Sequence, residues 1–129
     1  MNTHALGVQG EDMACRWIVM HGGVVLERNF RFRGGEIDII AKDDDYICFV
    51  EVKYRTGMDY GDAADAVDIR KQKKLSRGCD FYLLKHSLGE FTPVRFDVIT
   101  LDPDMDRKMA KVKWYKNAFD YIPTWGRML

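Results

Sequence analysis

Glu36, Asp38, Glu51 and Lys53 interrupt an otherwise apolar stretch, GGEIDIIAKDDDYICFVEVKYR, at residues 34–55. Side chains alternate across a strand. In YICFVEVKY, Cys48, Val50, Val52 and Tyr54 therefore take one face, and Ile47, Phe49, Glu51 and Lys53 the other, with Arg55 continuing it. A solvated face would be polar throughout, whereas this one begins apolar and turns charged where the strand runs out. A hairpin turning at Asp44-Asp45 brings Asp38 directly opposite Glu51, with Cβ atoms about 5 Å apart on the same face. Two carboxylates at that range resist joint ionisation. A divalent cation relieves them, and Mg²⁺ is well served by one or two carboxylates plus water and phosphate oxygens. Lys53, two residues on, is about 6–7 Å further along the strand and can touch a water or phosphate beside the ion. A plain structural ion pair of Lys53 with Glu51 or Asp38 is the competing reading.

The elements that position these groups can be read from periodicity. Residues 9–21, QGEDMACRWIVMH, read as a helix with Met13, Ala14, Trp17, Ile18 and His21 on one stripe, ended by Gly22-Gly23. Glu11 falls beside that stripe, where it either faces the carboxylates or answers the helix dipole. Residues 24–32 read as a strand, Gly34-Gly35 as a turn, and 36–42 and 46–54 as two strands of a hairpin. A helix over 62–86, with a break near Asp68 as an alternative, precedes a fourth strand at 93–101; DPDMDR is a turn, and a short strand or helix near 111–120 closes the chain. The order αβββαβ predicts a single α/β domain over 1–129, with a central mixed sheet flanked by helices. The helix after the third strand allows strands three and four to run parallel.

Bulk properties narrow the function. The chain of 129 residues is 47% hydrophobic and 31% charged, the balance of a soluble globular domain. No apolar run approaches the roughly 20 residues of a membrane span, and the N-terminus lacks a secretory pattern. Cys15, Cys48 and Cys79 are odd in number and widely spaced, as expected of reduced thiols in a cytoplasmic protein. Twenty basic and twenty acidic residues cancel, yet the positive charge clusters in RNFRFR, RKQKKLSR and RKMAKVKWYK. Local clustering, not net charge, governs attraction of nucleic acid. His4, His21 and His86 are scattered, which argues against a zinc site. The chain has no P-loop or GxGxxG motif, which argues against a nucleotide-driven motor.

An Asp, then Glu-x-Lys on the next strand, with a Glu on the preceding helix, resembles the PD-(D/E)XK nuclease superfamily, which includes restriction endonucleases and Holliday-junction resolvases. Closer still, GEDMA, ERNFR, GGEID, FVEVKYR, KQKKL, RFDVI and the terminal VKWYKNAF resemble the YraN-like, or UPF0102, group of small endonuclease-like proteins over nearly the whole chain. The resemblance implies a restriction-endonuclease-like core. It implies a site of Glu11, Asp38, Glu51 and Lys53 holding one or two Mg²⁺ or Mn²⁺, with the Val52 carbonyl as a further ligand and Glu11 acting through water or at a second site. Gln72 in KQKKL resembles a glutamine that some members bring from the following helix; a plain exposed helix position is the alternative. Glu36 faces the same way as Asp38, with capping of the turn or pairing with Arg31 or Arg33 as the alternative. Ile37 stands where the superfamily name has Pro, and Asp62 and Asp65 replace a Pro and Glu frequent in the group.

The expected activity is a metal-dependent endonuclease cutting DNA, branched or structured, and a homodimer fits the resolvase resemblance. Arg31, Arg33, Arg55, Lys71 and Lys74 would contact phosphates, setting affinity without reading sequence. A non-catalytic nucleic-acid-binding module on the same fold is the alternative. An interaction protein whose carboxylates form only internal ion pairs is a third.

Overall fold

The computed structural model describes residues 3–55, 67–104 and 109–123, with side chains for 9–55, 67–102 and 111–123. Helix α1 (Thr3–Met20) leads into three strands, β1 (Val24–Phe32), β2 (Gly35–Asp43) and β3 (Tyr46–Tyr54). Helix α2 (Ile69–Lys85) follows, then β4 (Val94–Asp104) and β5 (Met109–Phe119). The five strands form one sheet in the order β1-β2-β3-β4-β5. Neighbours are antiparallel except β3 and β4, which run parallel. That exception follows from α2, because a parallel neighbour needs a crossover longer than a hairpin turn.

The expected α/β class and mixed central sheet hold. The expected order lacks one strand: the closing segment, left open above as strand or helix, is a full strand paired with β4 along its length. Helix α1 also starts earlier than residue 9. The predicted start of α2 at 62 lies outside the described residues, as do Asp62 and Asp65. The described helix begins after Asp68, whose carboxylate caps it by accepting the Lys71 N–H at 2.9 Å. An Asp here satisfies one of the donors that every helix N-terminus leaves unpaired.

The sheet has an apolar layer on each side. One holds Phe30, Ile37, Ile40, Phe49, Phe96 and Val98 beneath Leu75, Cys79 and Tyr82 of α2. The other holds Ile39, Ala41, Cys48, Val50, Ile99 and Leu101 beneath Ala14 and Ile18 of α1. The α1 stripe predicted from spacing is thus the buried one. Gly10 sets how closely α1 approaches: a Cβ there would lie 2.7 Å from the Tyr54 ring and 2.8 Å from Leu101. Only a residue without a side chain lets this turn of helix rest on the sheet, and Glu11 is the next residue. Burial pushes the Cys48 and Cys79 thiols up to about 12, and all three cysteines are free. No helix among the described residues is long and apolar enough to cross a membrane.

Candidate active site

The β2–β3 pairing is Ile39↔Val50, Ile40↔Phe49, Ala41↔Cys48, Lys42↔Ile47 and Asp43↔Tyr46. This is the register expected from a turn at Asp44-Asp45, and its continuation sets Asp38 opposite Glu51. Regular pairing stops one residue short of that pair. Beyond it, Asp38 Oδ2 accepts the backbone N–H of Val52 at 2.8 Å. The carboxylate thereby takes the place of a ladder carbonyl and is held beside Glu51. Val52, expected to offer its carbonyl, already serves the site through its N–H.

Glu51 is only 5% exposed. Its Oε2 is buried without a hydrogen-bond partner. Lys53 Nζ lies 3.9 Å from Oε1 and Lys71 Nζ 3.7 Å from Oε2, both too long for good hydrogen bonds. Burial, then the Asp38 charge, raise the Glu51 carboxyl to about 7 against the smaller opposing pull of Lys71 and Lys53. Asp38 is also raised, chiefly by burial, with the Val52 hydrogen bond working the other way. Glu11 is raised as well, by burial and then by Asp38. Three carboxyl groups from α1, β2 and β3 thus form one electrostatic unit, and its centre disfavours negative charge.

Among the described residues, no three His, Cys, Asp or Glu side chains converge into a ready-made cation cage. The donor set instead suits an ion that completes its shell with water and phosphate oxygen, as Mg²⁺ does. Two hard carboxylate oxygens, one of them without a partner, stand where a positive charge would remove both the desolvation cost and the repulsion. By that test the residues fit a divalent cation.

The other predicted residues lie around this site. Lys71, read from sequence as a phosphate contact, is delivered by the first turn of α2 to Glu51. Gln72 directs its amide to the Val67 carbonyl at 2.9 Å, clamping the entry to α2. Arg31 and Arg33 are exposed at the β1–β2 turn, Lys74 is exposed on α2, and Arg55 follows β3, its N–H bonded to the Leu101 carbonyl at 2.9 Å. Glu36 is the register partner of Arg31 on β1.

Two features escaped the reading of residue types. Asn29, on β1, adopts a left-handed backbone with φ +53°, and its side chain favours the charged form of Glu11 against that group's burial. An Asn inside a strand pattern is the one available signal, since it tolerates that conformation better than its neighbours do. The second feature is Asp97 of RFDVI, at the other end of the sheet. It is fully buried and accepts from Arg95 Nε at 2.9 Å, Arg95 Nη2 at 2.8 Å, Trp114 Nε1 at 2.9 Å and Asn117 N at 2.8 Å. Arg95 also reaches Asp43 at 2.8 Å, and Lys116 reaches Asp43 at 2.9 Å. Unlike Glu51, Asp97 is satisfied, and its network ties β2, β4 and β5 together.

Fold and site together define a small mixed-sheet α/β domain that gathers three carboxylates and two lysines at one end of its central strands. Residues 10–101 match the model of the uncharacterised protein family UPF0102, and the chain belongs to that family. It is 39% identical over 120 residues to a UPF0102 protein of Lachnoclostridium phytofermentans, covering 93% of this chain and 97% of that one. It is 43% identical over 114 residues to one of Clostridium kluyveri, covering 88% and 93%. With one of Acetivibrio thermocellus the identity is 41% over 122 residues, covering 92% and 93%.

Proposed function

We propose that this protein is a metal-dependent endonuclease that hydrolyses phosphodiester bonds in DNA, with branched or structured DNA as the substrate class. The observation that carries the reading is Glu51: a buried carboxylate with an unpartnered oxygen, beside a second carboxylate, flanked by two lysines. A structural ion pair would close those contacts, as the Asp97 network does. An arrangement that disfavours its own charge when empty is costly to keep, and that cost is offset when a cation and a phosphate occupy it.

In this reading Asp38 and Glu51 would hold Mg²⁺ or Mn²⁺ together with the Val52 carbonyl, and Glu11 would act through water or at a second site. A divalent cation in that position supplies polarisation of the scissile phosphate and a lower pKa for the attacking water. Lys53 orients that water and offsets negative charge that grows on the phosphate in the transition state. Lys71, on the other oxygen of Glu51, holds a neighbouring phosphate. Arg31, Arg33, Arg55 and Lys74 extend the phosphate contacts outward. Gln72 supports the start of α2, and so the placement of Lys71.

The test is cleavage of single-stranded, duplex, flap and four-way-junction DNA with Mg²⁺ or Mn²⁺, with wild type beside Asp38→Asn and Glu51→Gln. Metal-dependent cutting lost in both variants is the expected result. DNA binding retained by all three proteins with no cutting of any substrate would favour the non-catalytic binding module.

A further inference from the structure

The β1–β2 pairing runs Arg28↔Ile39 and Phe30↔Ile37, which sets Asn29 opposite Asp38. Something unusual happens at that point in both strands. Residues two apart on a regular strand share a face, yet Ile37 belongs to the apolar layer under α2 and Ile39 to the layer under α1. On β1, Phe30 lies in the α2 layer, whereas Arg28 turns to α1, with Nη1 2.8 Å from Asp12 and Nη2 3.9 Å from Glu11. Both strands therefore change face at the Asn29–Asp38 position. The left-handed φ of +53° at Asn29 is the local cause on β1. Side chains carrying a Cβ resist that conformation, and Asn resists it less than most.

The change of face has a chemical consequence. It frees Asp38 from the regular ladder so that its carboxylate can take the Val52 N–H beside Glu51. It also turns Asn29 toward α1, where its side-chain amide favours the charged form of Glu11. Arg28 makes its short contact with Asp12 and stays 3.9 Å from Glu11. Glu11 is thereby held where it senses the Asp38 charge.

We infer that Asn29 is a positioning residue for the cation site, its backbone releasing Asp38 from the strand and its side-chain amide fixing Glu11 toward it. The inference rests on the proposed metal-binding reading of Asp38, Glu51 and Glu11. The two contributions separate by substitution. Asn29→Gly keeps the left-handed backbone and removes the amide, whereas Asn29→Ala removes the amide and strains the backbone.

The experiment titrates Mn²⁺ alone into wild type, Asn29→Gly, Asn29→Ala, Glu11→Gln and the Glu11→Gln/Asn29→Gly double variant by calorimetry. The thermal midpoint of each metal-free protein is read alongside. Asn29→Gly is expected to keep its midpoint within about 2 °C, because Gly adopts the conformation freely. It should still weaken Mn²⁺ binding roughly tenfold, the scale of losing a group that orients a ligand. Asn29→Ala should weaken Mn²⁺ binding further than Asn29→Gly, because the strained backbone also disturbs Asp38, and should lower the midpoint; equal weakening by the two overturns the backbone role. In the Glu11→Gln background, Asn29→Gly should add nothing, because a group acting through Glu11 is silent once Glu11 is gone. Wild-type affinity in Asn29→Gly, with Glu11→Gln weakened, overturns the inference and leaves the cation site standing, as does a full additional loss in the double variant. Mn²⁺ binding indifferent to Glu11→Gln removes Glu11 from the site and the inference with it. No Mn²⁺ binding by wild type overturns both the inference and the reading beneath it.

Discussion

Replacing Glu51 by Gln should make the metal-free protein more stable at pH 8, although it removes a buried hydrogen-bonding group. The reason is the raised carboxyl. A rise from 4.5 to about 7, at about 1.4 kcal/mol for each pH unit, corresponds to about 3 kcal/mol between the fully protonated and fully ionised limits. Asp38 shares that penalty, so the two are counted once, as on the order of 1–3 kcal/mol for the pair. The sign follows from proton binding. Between pH 4.5 and about 7 the native state holds a proton that the unfolded chain has released, so stability falls as pH rises through that window. It is fully present below 4.5 and lost above about 7. Gln carries no charge at any pH and escapes the loss. The Asp43 carboxyl, held low by Lys116 and opposed by its own burial, contributes the opposite slope, but only below its ordinary value of 3.8, outside the window. Urea denaturation in EDTA at pH 5.5 and pH 8, with wild type and Glu51→Gln side by side, is the assay; the difference between the proteins cancels the histidines. Wild type should lose about 1–2 kcal/mol across that interval, which spans only the upper part of the window, and the variant much less. A wild type as stable at pH 8 as at pH 5.5, or a Glu51→Gln variant less stable at both, would refute the electrostatic account of the site.

Mn²⁺ affinity should rise with pH through about 7, because the ion must displace the proton that the carboxylate pair retains; calorimetric titrations at pH 6 and pH 8 would read this, and a flat profile would count against Glu51 as a ligand. Asp38→Asn retains an acceptor for the Val52 N–H and should fold normally without cleaving, whereas Asp38→Ala should cost a further 1–3 kcal/mol or so for the orphaned donor, less the repulsion relieved at Glu51, as denaturant midpoints would show. Asp97→Ala removes the shared acceptor of the partly buried Arg95 and Trp114 donors, with Arg95 keeping Asp43, and should destabilise by about 1–3 kcal/mol; a midpoint near wild type would dismiss the network as structural glue. Gly10→Ala meets Tyr54 and Leu101 closer than 3 Å, so it should cost about 1–3 kcal/mol and weaken Mn²⁺ binding by lifting Glu11 away from the sheet.

The hairpin and its charged end were legible from the sequence because both depend on local rules. Alternation along YICFVEVKY and a turn at Asp44-Asp45 suffice to set the register, and the register brings Asp38 toward Glu51. The α1 stripe was legible for the same reason, since Ala14 and Ile18 recur at helical spacing. What escaped depends on contacts between distant segments. Residues 111–120 fit strand or helix by pattern, and only pairing with β4 makes them β5. Lys71 reads as one of several basic residues in RKQKKLSR until packing of α2 carries its first turn to Glu51. Asp97 looks like an ordinary strand residue, and its role comes from Arg95, Trp114 and Asn117 arriving on two strands. Alternation itself fails at Asn29 and Asp38, where two strands change face together. Residue types and period state which groups can react; which of them share a buried, poorly solvated space is set by tertiary packing, because desolvation is a property of the surroundings and not of the residue.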